Sequence, residues 1–229
     1  MININSDVGE AAGFDEQILP HIDSANVACG VHAGSATETI TTVARCRRLG
    51  VEVGAHPGYD DRANFGRVEI PLSPDQLEQL VCFQVGALAA LVPIGYIKAH
   101  GALYHYCQDR PEAADALARV AAEFETGLMG QPGFEILAAA GRAGIPGYRE
   151  GFADRAYLPD GRLAPRSQPG AVLAPEQAAE QAIALAREER LDSICLHGDS
   201  PGAAETARAI REALRGQSIA TGPLAGRAR

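Results

Sequence analysis

The sequence predicts an α/β protein with parallel strands and a site built at their carboxyl ends. Short β-branched runs alternate with longer segments of helical spacing, which is the signature of βα units. Four of the six histidines directly follow such apolar runs: His32 after Ala-Asn-Val-Ala-Cys-Gly-Val, His56 after Val-Glu-Val-Gly-Ala, His100 after Ile-Gly-Tyr-Ile-Lys-Ala and His197 after Ile-Cys-Leu. Asp7 follows Met-Ile-Asn-Ile-Asn-Ser in the same way. An α/β barrel or an open parallel sheet holds its ligand at that end of the strands. One histidine in such a place carries little weight, and its recurrence along the chain carries much.

Strands are expected near residues 2–5, 24–28, 51–55, 94–99, 126–130, 145–151 and 192–197, enough for seven βα units. Leu77, Leu80, Val81, Leu88 and Leu91 keep helical spacing, as do Ala203, Ala207, Ile210 and Leu214. Ser35 and Ser73-Pro74 read as helix starts, the second with proline at the first helical position. Residues 56–72 and 152–173 are long, rich in Pro, Gly, Asp and Arg, and carry Tyr59, Phe65, Phe152 and Tyr157. That mixture predicts ordered loops that cover a site. A single domain over 1–229 fits the roughly 250 residues of an α/β barrel, with a loose tail expected from about residue 216.

Composition narrows the function. A net charge of -9 without a Lys/Arg cluster argues against nucleic acid and for small molecules or proteins as partners. No run approaches the roughly 20 apolar residues that span a bilayer, and the start lacks a secretory pattern, so no membrane association and a cytoplasmic location are expected. Five scattered cysteines without a C-x-x-C pair suggest neither a disulfide framework nor a zinc knuckle. Cys29, in an apolar strand, reads as an inert buried thiol.

The strand ends carry the candidate chemistry. Asn5 and Asp7 share a strand face, with Glu10 just beyond Gly9; Asp7 suits a base or metal ligand, and equally a cap. His32 precedes a helix start whose amides would hold an anion. Arg62, Asn64 and Arg67 follow His56 on a loop, where guanidinium forks suit carboxylate or phosphate. For Arg62 alone, a surface pair with Asp60 or Asp61 is the simpler reading. Lys98 alternates with His100, and a cation inside a barrel is costly unless it faces a carboxylate or ligand. Tyr104 follows. Glu150, Asp154 and Arg155, then Arg166 and Ser167, come after the sixth strand, and His197 and Asp199 end the seventh. His21 and His105 fall outside this pattern. There is no G-x-x-x-x-G-K-[ST], G-x-S-x-G or H-E-x-x-H motif.

Taken in order, Asn5-x-Asp7-x-Gly9-Glu10, Asn26-x-Ala28-Cys29-Gly30-x-His32-Ala33-Gly34, Gly54-Ala55-His56-Pro57, Asp61-Arg62-x-Asn64-Phe65-Gly66-Arg67, Lys98-x-His100-Gly101-x-Leu103-Tyr104, Glu150-x-Phe152-Ala153-Asp154-Arg155-x-Tyr157, Pro165-Arg166-Ser167 and Cys195-x-His197-Gly198-Asp199 resemble the LamB/YcsF family. The resemblance implies a distorted seven-stranded (β/α) barrel similar to the glycoside hydrolase and deacetylase barrels. Its bacterial members are the A component of ATP-dependent 5-oxoprolinase, so it also implies cleavage of the lactam 5-oxoproline to L-glutamate with ATP, alongside subunits B and C.

On that basis Asp7, His56, His100 and Lys98 are the expected catalytic groups, with one of the first three as base toward water. Asn5, Glu10, His32, Arg62, Asn64, Arg67, Tyr104, Glu150, Asp154, Arg155, Arg166 and Ser167 are expected to bind substrate. Asp7, His32, His197 and Asp199 are the candidate ligands of a divalent cation such as Mg²⁺. Two other readings are a stand-alone metal-dependent deacetylase or carbohydrate hydrolase, and a non-catalytic component that binds the lactam.

Overall fold

Seven parallel strands close into a barrel in the computed structural model, which describes residues 1–188 and 190–224. In chain order the elements are β1 (Asn3–Val8), α1 (Asp15–Ile18), β2 (Ser24–Ala28), α2 (Ala36–Leu49), β3 (Glu52–His56), α3 (Pro74–Ala89), β4 (Tyr96–Ile97), α4 (Gly101–Asp109), α5 (Pro111–Glu123), β5 (Gly127–Gly130), α6 (Glu135–Ala143), β6 (Gly147–Phe152), α7 (Pro175–Arg187), β7 (Ser193–Leu196) and α8 (Ala203–Gly216). Each strand pairs with the next, and β7 returns to β1 with Asn3 opposite Ser193 and Ile4 opposite Ile194. All seven expected strands are present, the fourth over Tyr96–Ile97 only, not 94–99.

The barrel is pinched at β4, whose regular ladder is two residues long. Strand-like bonding nevertheless runs from the Gly95 N–H to the Val53 carbonyl (2.8 Å) and from the Lys98 N–H to the Ala55 carbonyl (2.9 Å). The chain then turns, and His100 stands at the N-cap of α4 instead of continuing the strand.

Alternation along the strands separates two environments. Ile4, Val8, Ala25, Val27, Val53, Ala55, Ile194 and Leu196 are buried in the apolar layer between barrel and helices. The inward positions are polar and bond to one another. Asn3 Nδ2 donates to Ser24 Oγ (2.7 Å), which donates to Glu52 Oε2 (2.7 Å), while Ser193 Oγ donates to Asn3 Oδ1 (2.6 Å). Asn5 Nδ2 reaches Ser193 Oγ at 2.7 Å, and Asn26 Nδ2 reaches both Asn5 Oδ1 and Asp7 Oδ1 at 2.7 Å. Tyr96 Oη donates to Asn26 Oδ1 at 2.6 Å. A hydrogen-bonded column thus rises through the barrel to Asp7.

Both expected helix starts are capped. Ser35 Oγ accepts from the Glu38 N–H, and Ser73 forms a capping box with Gln76. The expectation of a loose tail is corrected as far as Leu224. The Ile2 N–H bonds the Ala220 carbonyl, and the Gly222 N–H returns to the Ile2 carbonyl. Leu224 is buried against Tyr96 and Met129, and its N–H bonds Glu52 Oε2 (2.9 Å). The segment closes the amino end of the barrel, where isolated apolar residues suffice because Tyr96 and Met129 await cover; residues 225–229 lie outside the described residues.

Gly34 sits at φ +65°, and a methyl group there would run into the Gly9 carbonyl oxygen. This close approach brings the turn after β1 against the turn after β2, and so brings Glu10 to His32. Gly34→Ala combines left-handed strain with a backbone collision and is expected to lower stability by about 2–4 kcal/mol. Thermal unfolding of the purified variant measures it, and an unchanged midpoint would show that the two turns are not packed this way.

Candidate active site

Lys98, the chain's single lysine, stands just past β4 with its ammonium inside the barrel. Nζ lies 3.1 Å from Glu150 Oε2, 3.3 Å from Asp7 Oδ1, 3.3 Å from Asn5 Oδ1 and 2.9 Å from Cys195 Sγ. Burial works against the charge, but Asp7 and Glu150 outweigh it and hold the lysine pKa well above its ordinary value. Lys98 is therefore a fixed cation and not a base or nucleophile. Burial also opposes ionisation of Asp7, yet His56 and Lys98 hold its carboxyl well below the usual range. Burial pushes the Cys195 thiol and, together with Glu150, the Tyr104 phenol well upward, so both stay neutral.

Three histidines and Glu10 gather beside Asp7. His56 Nδ1 lies 2.7 Å from the Lys98 carbonyl and His100 Nε2 lies 2.8 Å from the Phe65 carbonyl. A carbonyl only accepts, so both of these nitrogens carry the proton. The other ring nitrogens, His56 Nε2 and His100 Nδ1, face each other at 3.1 Å. Glu10 Oε1 is 3.2 Å from His100 Nδ1, 3.4 Å from His32 Nε2 and 3.9 Å from His56 Nε2. His32 stacks on His100 with ring centroids 3.9 Å apart, and burial pushes its pKa down to about 4, so it stays neutral. Gly58 and Gly66 let the loop after β3 pass directly over the His32 ring.

Across the barrel mouth, Asp154 orients His197. Its carboxylate accepts the His197 backbone N–H (3.0 Å) and His197 Nδ1 (3.0 Å). The imidazole stacks on Phe152 and presents Nε2 to Asp7 Oδ2 at 3.9 Å. Burial opposes the Asp154 charge, but His197 outweighs it and lowers the carboxyl pKa. Asp7, His56, Lys98, His100 and His197 floor a cavity of about 570 Å³. Arg67, Arg155, Arg162 and Arg166 line its mouth together with Glu69, and Arg67 and Arg166 (3.4 Å) both pair with Asp199.

The structure brings most of the expected residues together, in different partnerships. Asn5 and Glu150 lie under Lys98, out of a ligand's reach, and Tyr104 packs edge-on to Phe152 on the cavity wall. Arg62 is not at the cavity: its guanidinium binds the Gly34 carbonyl (2.6 Å) and the Gly30 carbonyl, tying two loops together. Asn64 bonds Asp61 on the surface, and Ser167 is exposed outside the cavity lining. The expected cation set of Asp7, His32, His197 and Asp199 is not assembled, because Asp199 pairs with two guanidinium groups and His32 Nε2 with Glu10, which leaves only Asp7 and the free Nε2 of His197 facing each other at 3.9 Å. Among the described residues, the group with metal-ligand spacing is Glu10, His56 and His100. His105, outside the strand-end pattern in sequence, lines the cavity from α4. Asn26 has no role of its own in the sequence reading, although its register opposite Asp7 makes it that carboxylate's hydrogen-bond donor.

Comparison with known proteins shows the family and agrees with the fold. The model of the LamB/YcsF family matches residues 2–229. A Neisseria meningitidis protein that bears the name of the 5-oxoprolinase A component is 41% identical over 95% of this chain and 97% of its own length. The crystal structure of a lactam utilization protein from Thermus thermophilus superposes with a TM-score of 0.89 at 38% identity, covering 97% of this chain and 98% of that one. A family 4 carbohydrate esterase from Streptomyces lividans shares the fold alone, with a TM-score of 0.57 at 12% identity over 97% of this chain and 90% of that one.

Replacing Lys98 by methionine strands Asp7 and Glu150 without their cation, and a cost of about 3–5 kcal/mol is expected. The pH dependence follows from Asp7 and Asp154, whose folded pKa values are depressed. Their contribution is present above the ordinary aspartate pKa and is lost as pH falls through it toward the lower folded values. Urea titrations between pH 2 and pH 7 should show a shallower acid loss in Lys98→Met than in the parent. Equal stability of the two proteins at neutral pH would refute a buried Lys98 ion pair.

Proposed function

The chain belongs to the LamB/YcsF family, and from that premise we propose that it is the A component of a cytoplasmic 5-oxoprolinase. In this reading it opens the lactam ring of 5-oxo-L-proline to give L-glutamate, with ATP as co-substrate and subunits B and C as partners. The observation that carries it is the His197–Asp154 pair aimed at Asp7 across 3.9 Å, on the floor of a cavity with guanidinium groups at its mouth.

A five-membered lactam is a stable amide, so its carbonyl needs activation. Transfer of the ATP γ-phosphoryl to the lactam oxygen forms a C–O–P linkage and releases ADP. Water then adds to the ring carbon. The ring C–N bond breaks as the nitrogen takes a proton, leaving γ-glutamyl phosphate, which a second water splits to glutamate and phosphate.

The chain's residues fit the hydrolytic half of that sequence. With Nδ1–H bound to Asp154, His197 keeps a lone pair on Nε2 toward the cavity. The gap to Asp7 is too long for a direct hydrogen bond and leaves room for one water touching both groups. His197 takes the proton of that water and returns it to the ring nitrogen. Ionised Asp7 orients the water, and Lys98 holds Asp7 in place. The guanidinium groups at the mouth outnumber Glu69 and Asp199, and Arg67, Arg155 and Arg166 receive the substrate carboxylate and the phosphoryl group. The chain has no G-x-x-x-x-G-K-[ST] loop, so we assign the nucleotide to a site built with the partners.

The test is ATP-dependent glutamate release by the chain reconstituted with subunits B and C, omitting each component in turn. Omitting this chain should abolish release. His197→Asn and Asp7→Asn should each lower turnover by about 10²–10⁴-fold with assembly unchanged on gel filtration. Full activity without the chain would remove it from the reaction, and undiminished turnover in both variants would leave it only a lactam-binding role.

A further inference from the structure

We infer that Glu10 Oε1, His56 Nε2 and His100 Nδ1 form a binding site for one divalent transition-metal ion of the Zn²⁺ class. The inference rests on reading the cavity floor as the reacting end of the proposed hydrolase.

The floor is short of hydrogen-bond donors. His56 Nδ1 and His100 Nε2 spend their protons on the Lys98 and Phe65 carbonyls. The nitrogens left over converge with Glu10 Oε1 at separations of 3.1, 3.2 and 3.9 Å. Asp7 Oδ1 is a further acceptor, 3.4 Å from His56 Nε2. The polar donors nearby are engaged elsewhere: Asn26 and Lys98 serve Asp7, and His32 Nε2 serves Glu10.

Apart from His32 Nε2 at one side of Glu10, three acceptor atoms therefore meet in a buried space with no donor between them, which is costly. An additional proton on one ring would serve one neighbour and leave the remaining lone pairs facing each other. A metal ion serves all three at once. Bonds of about 2.0–2.1 Å in a tetrahedral arrangement place ligand atoms about 3.3 Å apart, close to the observed spacing. A backbone carbonyl on the far nitrogen of each histidine is the usual device that fixes the ligating tautomer. Two imidazoles and one carboxylate favour Zn²⁺, Co²⁺ or Fe²⁺ over Mg²⁺, which takes oxygen ligands. His56 and His100 line the cavity, so an ion held there supplies Lewis-acid activation on the side where Asp7 and His197 face each other.

The test uses the full chain, stripped with a chelator and titrated with Co²⁺ and, separately, Zn²⁺, without substrate or partners. About one ion per chain is expected to bind, with visible Co²⁺ d–d bands. Proton NMR of the Co²⁺ form should show two strongly shifted, exchangeable imidazole N–H signals, from His56 Nδ1 and His100 Nε2. Glu10→Gln and His100→Ala should weaken uptake at least 10-fold, whereas His21→Ala, outside the cavity, should leave it unchanged. The NMR signals come from the parent protein, so the inference stays testable even if a variant does not fold. Absence of stoichiometric uptake by the folded parent, uptake without the two N–H signals, or uptake undiminished in both ligand variants would overturn it. Because turnover is not the readout, failure here leaves the lactam hydrolase reading to its own test.

Discussion

One buried ammonium sets the terms for the barrel interior. Lys98 brings a full charge to a place where water does not compensate it, so Asp7 and Glu150 must stand on either side. Once those carboxylates are inside, their remaining lone pairs need donors too. The column from Asn3 through Ser193, Asn5 and Asn26 supplies one to Asp7, with Tyr96 bracing Asn26, whereas Glu150 is held by the Lys98 ammonium. The column below Asp7 is rigid because each member that moves leaves a buried polar group unpaired. Buried ion pairs are weak evidence of stability. The apolar layer between strands and helices supplies the burial that favours folding, and the polar interior fixes where Asp7 points.

The loops extend that rigidity upward. Arg62 joins the loop after β3 to the carbonyls of Gly30 and Gly34, while the Phe65 carbonyl on the same loop orients His100. Gly34 in turn meets the Gly9 carbonyl beside Glu10. The cluster of Glu10, His32, His56 and His100 is thus held by segments from four strand ends, each needing the others. Arg62, expected at a ligand, contributes by shaping the site without touching the cavity.

Strand positions were legible because a two-residue period and a polar strand end survive in one dimension, as they do for Asp7, His56 and His197. The match to the family added the closed barrel, which periodicity alone did not separate from an open sheet. Partnerships were hidden because they depend on closure: Asp7 meets Lys98 across 91 positions and Asn5 meets Ser193 across 188. Arg62 and Arg67 look equivalent in sequence, yet the chain turns between them at Phe65, with φ 57°, and Arg62 binds the Gly30 and Gly34 carbonyls while Arg67 pairs with Asp199. Asp199 follows His197 by two residues, which suggests a shared strand face, but the chain has left the strand by Gly198, and Asp199 joins the mouth. The tail misled because Ile219 and Leu224 lack any period, and their partners lie at the far end of the barrel.

Charge is distributed vertically, and that distribution constrains how a ligand lies. The chain as a whole is anionic, and the floor carries Asp7 and Glu10. The mouth carries four guanidinium groups against Glu69 and Asp199. A small anion approaching the cavity is drawn to the guanidinium groups and repelled by the floor carboxylates, so its charged end stays outward. Its neutral end is then the part that reaches Asp7 and His197. Under the proposed function, the carboxylate of the cyclic amide would stay at the arginines and the amide bond would point down to Asp7 and His197. The same polarity suits the floor to a cation and the mouth to a phosphoryl group, so the proposed metal site and the proposed anion site would lie at opposite ends of one cavity without competing for the same side chains.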